Sequence, residues 1–314
     1  MKILKRSLIL LFVLIIGGYF YLALSLADRI LVTGSSLELT KARIANGWGT
    51  TFDTMLALLP EGRAFEVTSF DDTILKGKYF QKADTANCAV IMLHGWSDTW
   101  AGMLKYVPVL EDCHCDLVFY DHRAHGESGG EYPTGGINES KDLLAVTEWL
   151  QSEKEFTPNQ IGWFGASWGG AAVLQAGASD KDVAFIIADA PFQDWYSAIF
   201  ERATREMGVM ATIMSFGVMK TVNWKTGINY KNASARQSAK LISEPLLLIH
   251  SKTDSFTGSE QSVNIAKGVV GDNCTFHHLD WGGDHTEDVL INTDAFKGLI
   301  NDFLQTVNEE FLKQ

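Results

Sequence analysis

The chain has 314 residues, with 38 acidic against 26 basic side chains, 28 glycines and 6 prolines. That length accommodates one α/β domain of roughly 250 residues plus an extension. The acidic balance, with no Lys/Arg cluster outside the N-terminus, argues against a nucleic-acid partner, and the glycine and proline content fits neither a disordered nor a collagen-like chain.

Lys2, Lys5 and Arg6 precede the segment 7–27, which carries no charge. Twenty-one residues at 1.5 Å each give about 31 Å, against about 30 Å for a bilayer core. Tyr19 and Tyr21 fall in its second half, and Asp28 and Arg29 close it. Ser25-Leu26-Ala27 would serve as a signal-peptidase site, but the apolar run exceeds the 7–15 residues of a signal peptide. The reading favoured here is an uncleaved anchor, residues 1–27, in the inner (cytoplasmic) membrane. The positive end stays in the cytoplasm and the body lies on the extracytoplasmic side.

Residues 28–63 read as a connector, with a loose helical period broken at Gly47-Trp48-Gly49. The domain proper is expected over 64–314. Segments 64–70 and 73–80 read as an antiparallel hairpin turning at Asp71-Asp72. The apolar run 89–93 reads as a strand buried on both faces, followed by His94-Gly95-Trp96-Ser97-Asp98 and a helix over 99–111. A strand at 117–120 leads into Asp121-His122-Arg123-Ala124-His125-Gly126-Glu127-Ser128, and a helix at 139–152 follows. Further strands are expected at 161–164, 183–188, 246–250 and 275–279. Helices are expected at 260–269 and from Glu287 onward. Strands alternating with helices make a mostly parallel sheet covered on both faces, with the chemistry at the strand ends.

Segment 192–240 interrupts the alternation. It is longer than a crossover needs and holds Met207, Met210, Met214 and Met219, so it reads as a helical lid over the strand ends; methionine-rich helices adapt to varied apolar ligands. Cys88, Cys113, Cys115 and Cys274 have no zinc spacing. Cys88 can pair with Cys113 or Cys115 if the compartment oxidises, or all four can remain thiols.

Gly165-Ala166-Ser167-Trp168-Gly169-Gly170 sits between the strand at 161–164 and a small-residue helical segment. A serine between glycines at a strand-to-helix turn is a nucleophile elbow, with its hydroxyl beside a helix N-terminus that favours negative charge. A serine hydroxyl needs a base, and the base needs an orienting acid. With this elbow the order is serine, acid, histidine, which selects Asp254 and His285. Asp189 is a rival acid. Asp284 reads as merely solvated, His277 and His278 as structural, His122 and His125 as ordering their loop, and His250 as a packed or hydrogen-bonded core histidine. The N–H groups of Trp96 and Trp168 are the expected oxyanion donors. Trp100, Trp195, Met210 and Met214 are expected to line the substrate site.

His94-Gly95-Trp96, the Asp121–Ser128 motif, Gly165-Ala166-Ser167-Trp168-Gly169, Asp254 and His285 together resemble the α/β-hydrolase superfamily over about residues 65–314. The likeness is to membrane-anchored bacterial esterase-like hydrolases near the serine aminopeptidase and dienelactone hydrolase families. It implies the α/β-hydrolase fold: a mostly parallel eight-stranded sheet, helices on both faces and a helical lid. It also implies hydrolysis of esters or thioesters through an acyl-enzyme, without metal or cofactor. Ala124 departs from the usual glycine of that motif. Dehalogenases and epoxide hydrolases of the superfamily use a carboxylate nucleophile, against which Ser167 argues. The expected partners are a small-molecule ester or lipid-like substrate and, through the N-terminal helix, the membrane. A peptidase or amidase on the same triad is the alternative, and a membrane-tethered binding protein is another.

Overall fold

The computed structural model describes residues 2–82, 86–179 and 182–312. Its centre is an eight-stranded sheet in the order β1-β2-β4-β3-β5-β6-β7-β8. β1 (Arg63–Thr68) and β2 (Ile74–Phe80) form an antiparallel hairpin, and β2 runs antiparallel to β4 (Cys115–Tyr120). β3 (Cys88–Leu93), β5 (Ile161–Ala166), β6 (Phe185–Asp189), β7 (Leu246–Ser251) and β8 (Cys274–Leu279) continue the sheet in parallel with β4.

β3 to β7 are buried at every position, which is why they read as unbroken apolar runs. Their alternate side chains feed two cores. Ala89, Ile91 and Leu93 face one, with Trp163, Trp168 and Leu143; Cys88, Val90 and Met92 face the other, with Phe164, Tyr106 and Phe296. The first core is closed by α4 (Ile137–Glu153) and α5 (Trp168–Ala176), the second by α11 (Thr293–Val307).

The expected helix over 99–111 is instead a pair of 3₁₀ segments, Trp100–Tyr106 and Pro108–Leu110. Pro108 supplies no N–H to a continuing helix, and the Asp121 carboxylate takes the Trp100 N–H (2.7 Å). The connector holds α2 (Leu37–Gly47) and α3 (Phe52–Leu56), interrupted at the glycine pair around Trp48. α9 (Glu260–Ala266) is shorter than expected, and a single turn, α10 (Asp288–Ile291), precedes α11. Cys88 and Cys115 open neighbouring strands, face each other in register and form a disulfide.

α1 (Lys2–Leu31) is long and apolar enough to cross a membrane. Its first half projects free of the domain, whereas Ala23, Ala27 and Leu31 are buried. Between β6 and β7 come α6 (Trp195–Met207), α7 (Val209–Thr226) and the single turn α8 (Ala235–Ser238). α7 packs along α1. The Tyr19 hydroxyl donates to the Ile213 carbonyl (3.2 Å), Gly217 leaves room for the Tyr19 ring, and Lys225 pairs with Asp28.

The Asp121–Ser128 loop is pinned by Arg123. Its buried guanidinium donates twice to Asp142 of α4 (2.7 Å each) and also to Asp71 (2.9 Å) in the β1–β2 turn. This ion pair holds the Asp71 carboxyl down at about 2. The next residue, Ala124, has φ +58°, the left-handed conformation the usual glycine would adopt freely. Ala124→Gly is therefore expected to raise stability by about 1 kcal/mol, read as a higher urea midpoint at unchanged slope; a lower midpoint would contradict this account.

Candidate active site

Ser167 lies between β5 and α5 with φ +54° and ψ −111°, a conformation rare for any residue with a Cβ. The flanking glycines make it sterically feasible. A Cβ on Gly165 would run into the Gly169 backbone, and one on Gly169 would run into the Leu93 carbonyl. Helix α5 is thereby pressed against the ends of β3 and β5. The Ser167 N–H donates to the Asp189 carbonyl (2.7 Å) and the Gly169 N–H to the His94 carbonyl (3.1 Å). These two bonds lock the turn to β6 on one side and to the loop after β3 on the other.

His285 comes from the loop after β8. Its Nε2 lies 2.7 Å from Ser167 Oγ and its Nδ1 lies 2.6 Å from Asp254 Oδ2. Asp254, in the loop after β7, has a fully buried side chain. Its Oδ1 accepts the N–H groups of Phe256 (2.8 Å) and Thr257 (2.7 Å), and its Oδ2 lies 3.0 Å from His250 Nε2. Burial opposes ionisation of Asp254, but the hydrogen bonds from His250 and His285 outweigh it and hold the carboxyl well below its ordinary range. The Ser167–His285–Asp254 line is thus assembled with an ionised carboxylate at its base.

His250 is a buried, hydrogen-bonded histidine, as expected. Its Nδ1 lies 2.6 Å from the Ser262 hydroxyl, and its Nε2 reaches both Asp254 and the Thr257 carbonyl (2.9 Å). A histidine at a strand end four residues before the acid was the available sequence signal. Asp284 is not merely solvated: it accepts the N–H groups of Ser255 (2.7 Å) and His285 (2.8 Å) and so splices the two site loops. Asp189 is occupied by the Tyr106 hydroxyl (2.6 Å) and is not the partner of His285. His277 and His278 remain in β8 at the sheet edge.

The loop after β3 is fixed by imidazoles. His94 Nδ1–H donates to the Gly95 carbonyl (2.8 Å) while Nε2 accepts the His122 N–H (3.0 Å), and His122 Nε2–H donates to the His94 carbonyl (3.1 Å). This pair of hydrogen bonds brings Gly95 against Ser167, and Trp96 follows. Burial pushes His94 down to about 4, His125 to about 3 and His122 well below the ordinary 6.5.

A cavity of about 250 Å³ opens at Ser167, walled by Trp96, Trp168, Phe192 and Trp195 on one side and by Arg202 and Phe256 on another. Phe256 stacks on the His285 ring (4.9 Å). Arg29 and Ile30, from the end of α1, also line it, a contribution that sequence reasoning did not find. A second hollow of about 400 Å³ between α1, α6 and α7 shares Arg29, Ile30, Ile199 and Arg202 with the first. Of the four expected lining residues, Trp195 is on the cavity wall and Met214 lines the second hollow. The other two are corrected. Trp100 packs among Phe52, Phe80 and Phe119 in the other core. Met210 points outward and is 74% exposed. The cysteine group Cys88, Cys113 and Cys115 lies at the opposite ends of the strands from Ser167, and two of its sulfurs are joined to each other, so it offers no metal set to the site.

A family model described as X-Pro dipeptidyl-peptidase (S15 family) matches residues 116–259. The Bacillus subtilis (strain 168) protein YqkD is 27% identical over 251 residues, covering 79% of this chain and 81% of that protein. The quorum-quenching protein AidA of Acinetobacter baumannii is 30% identical over 126 residues, 38% of this chain and 40% of its own length. Among solved structures, an esterase of Pyrococcus furiosus superposes with a TM-score of 0.64 at 22% identity, covering 82% of this chain and 94% of that one. An acylaminoacyl peptidase of Pyrococcus horikoshii does so with a TM-score of 0.60 at 19% identity, covering 81% of this chain and 42% of that one. The fold is that of the α/β-hydrolases. The chain is similar to esterases and peptidases that share this fold.

The imidazole cluster dictates a pH dependence of stability. A histidine held neutral in the fold at about 4 binds fewer protons than its unfolded counterpart at about 6.5, so its stabilisation is complete above 6.5 and declines as pH falls toward 4. Melting temperature is expected to drop over that interval at constant ionic strength, and a flat profile would show that the cluster is protonated in the fold.

Proposed function

We propose that the protein hydrolyses carboxylic esters or thioesters with an apolar acyl group, with Ser167 as nucleophile, His285 as general base and Asp254 as its orienting acid. The observation that carries this reading is the continuous hydrogen-bonded line from the buried Asp254 through His285 to Ser167. His285 Nε2 takes the serine proton as Oγ attacks the acyl carbon, and the imidazolium is balanced by Asp254. The backbone N–H groups of Trp96 and Trp168 receive the oxyanion; one such donor is worth about 2.7–4 kcal/mol in the transition state. Collapse of the tetrahedral adduct expels the alcohol or thiol, which takes the proton from His285. Water, deprotonated by the same nitrogen, then attacks the acyl-serine, and the acid leaves as Oγ recovers its proton.

The aromatic wall of Trp96, Trp168, Phe192 and Trp195 supports an apolar acyl group. Recognition of a peptide's free amine would need a carboxylate in the cavity. Among the described residues lining it there are two arginines, Arg29 and Arg202, and no carboxylate. This favours the ester reading over a peptidase on the same triad. The completeness of the line at Ser167 speaks against a non-catalytic binding protein.

We read α1 as an uncleaved single-pass anchor, with residues 28–63 as connector, 64–314 as the hydrolase domain and 192–240 as its lid. Cleavage after Ala27 would remove Ala23 and Ala27, which are buried against the domain, and would sever the chain just before Arg29 and Ile30 of the cavity wall. The positive N-terminal flank and the Cys88–Cys115 disulfide fit an extracytoplasmic domain.

A fluorophosphonate probe is expected to label the wild-type chain and not Ser167→Ala, with kcat on p-nitrophenyl butyrate falling by about 10⁴–10⁶ in the variant. Turnover that survives Ser167→Ala would remove the assignment.

A further inference from the structure

The lid helices do not only cover the site; they run down the membrane-length helix. Tyr19 meets Ile213 and Gly217, and Asp28 meets Lys225, so α1 and α7 run in the same direction. The first turn of α7 at Val209 therefore lies about 6 Å beyond Ile213 toward the N-terminal part of α1, alongside the uncharged stretch 7–27. α7 itself carries no charge before Lys220. At this end Met207, Val209, Met210, Ile213 and Phe216 are each at least half exposed, a contiguous apolar tip of the kind that marks a partner or a membrane. The two arginines of α6 reach Phe256, while Glu206 borders the hollow behind the tip. Arg205 donates to the Phe256 carbonyl (2.7 Å) and the Arg202 guanidinium lies 4.0 Å from the centre of the Phe256 ring.

Behind the tip, the hollow between α1, α6 and α7 is lined by Leu26, Ile30, Ile199, Ala211, Met214 and Val218, among others, and joins the Ser167 cavity through shared walls. A path with mainly apolar walls, to which Arg29, Arg202 and Glu206 also contribute, thus runs from the face occupied by an uncharged helix of bilayer length to the nucleophile. Were the substrate a water-soluble ester, no such path would be needed, because the cavity at Ser167 is already open to solvent at its rim.

We propose that the α6–α7 tip inserts into the outer half of the bilayer beside α1, and that the hollow between them passes the acyl chain of a membrane amphiphile to Ser167. The substrate class is thereby a lipid ester drawn sideways from the bilayer, and α1 is a wall of the binding site as well as an anchor. This rests on the serine-esterase reading for its chemistry, but the membrane contact itself does not.

Two measurements on the full chain in phosphatidylcholine vesicles test it. In the first, bimane attached at Met210→Cys in a Cys274→Ser background is expected to be quenched by doxyl-labelled phosphatidylcholine; absence of quenching overturns the membrane contact whatever the catalytic activity. The second compares p-nitrophenyl palmitate held in the vesicles with dissolved p-nitrophenyl butyrate. Val209→Glu/Met210→Glu, which alters only exposed side chains, and Ala211→Trp, which fills the hollow, are each expected to lower the palmitate-to-butyrate rate ratio at least tenfold. An unchanged ratio in the double variant overturns the proposal. So does an unchanged ratio accompanied by fewer chains per particle, since the tip would then be a contact between copies of this chain. Failure of the esterase reading shows separately, as wild-type butyrate turnover that is absent or indifferent to Ser167→Ala.

Discussion

Everything at the site depends on one strained residue. Ser167 is held at φ +54° by the absence of side chains at Gly165 and Gly169 and by backbone bonds to Asp189 and, through Gly169, to His94. Such a conformation costs on the order of 1–3 kcal/mol and persists only where its surroundings over-determine it. Here the surroundings are the closed ends of three parallel strands. In exchange the hydroxyl is presented at the N-terminus of α5, within 2.7 Å of His285 Nε2. A relaxed turn would place Oγ along the strand and out of reach of His285.

The second dependence is electrostatic. A carboxylate as buried as Asp254 would be neutral without compensation. It accepts two backbone N–H groups and lies within reach of two imidazoles, so the negative charge is stabilised before any reaction begins. His250 occupies one side of Oδ2 and leaves the other for His285. The Asp254 carboxylate is therefore preorganised by β7 and the loop that follows it, and only His285 has to be brought across from the loop after β8. Asp284 does this by bonding to the backbone of both loops. Neutral His94 performs the matching task on the far side of Ser167, where a charged imidazole would lose the Nε2 acceptor that takes the His122 N–H.

Much of this was legible in the sequence because parallel strands buried on both faces leave uninterrupted apolar runs, and because loops at their C-terminal ends carry the polar residues. The elbow, Asp254 and His285 followed from that grammar. Strand order did not, since nothing local in 115–120 says that β4 inserts between β2 and β3. Trp100 was misplaced because the segment after β3 reads as a regular helix; as a 3₁₀ segment tied to Asp121 it turns its indole into the opposite core. The Cys88 partner depended on register, which puts Cys115 rather than Cys113 opposite it. Asp284 was undervalued because its partners are backbone groups and a hydroxyl, which leave no trace in composition.

The contact between α1 and α7 was the least legible feature. Amphipathic periodicity reveals which face of a helix is buried, but both of these helices are apolar nearly all round, so neither announces a preferred face. What decides the pairing is small: Gly217 admits the Tyr19 ring, Ala23 and Ala27 let the helices approach, and Lys225 meets Asp28 at the end. Small residues that permit close approach are how apolar helices choose partners when hydrophobicity cannot discriminate. The consequence reaches the chemistry, because the same pairing carries Arg29 and Ile30 to the cavity at Ser167. A segment that reads as an anchor in the sequence ends, in the folded chain, in the wall of the cavity at Ser167.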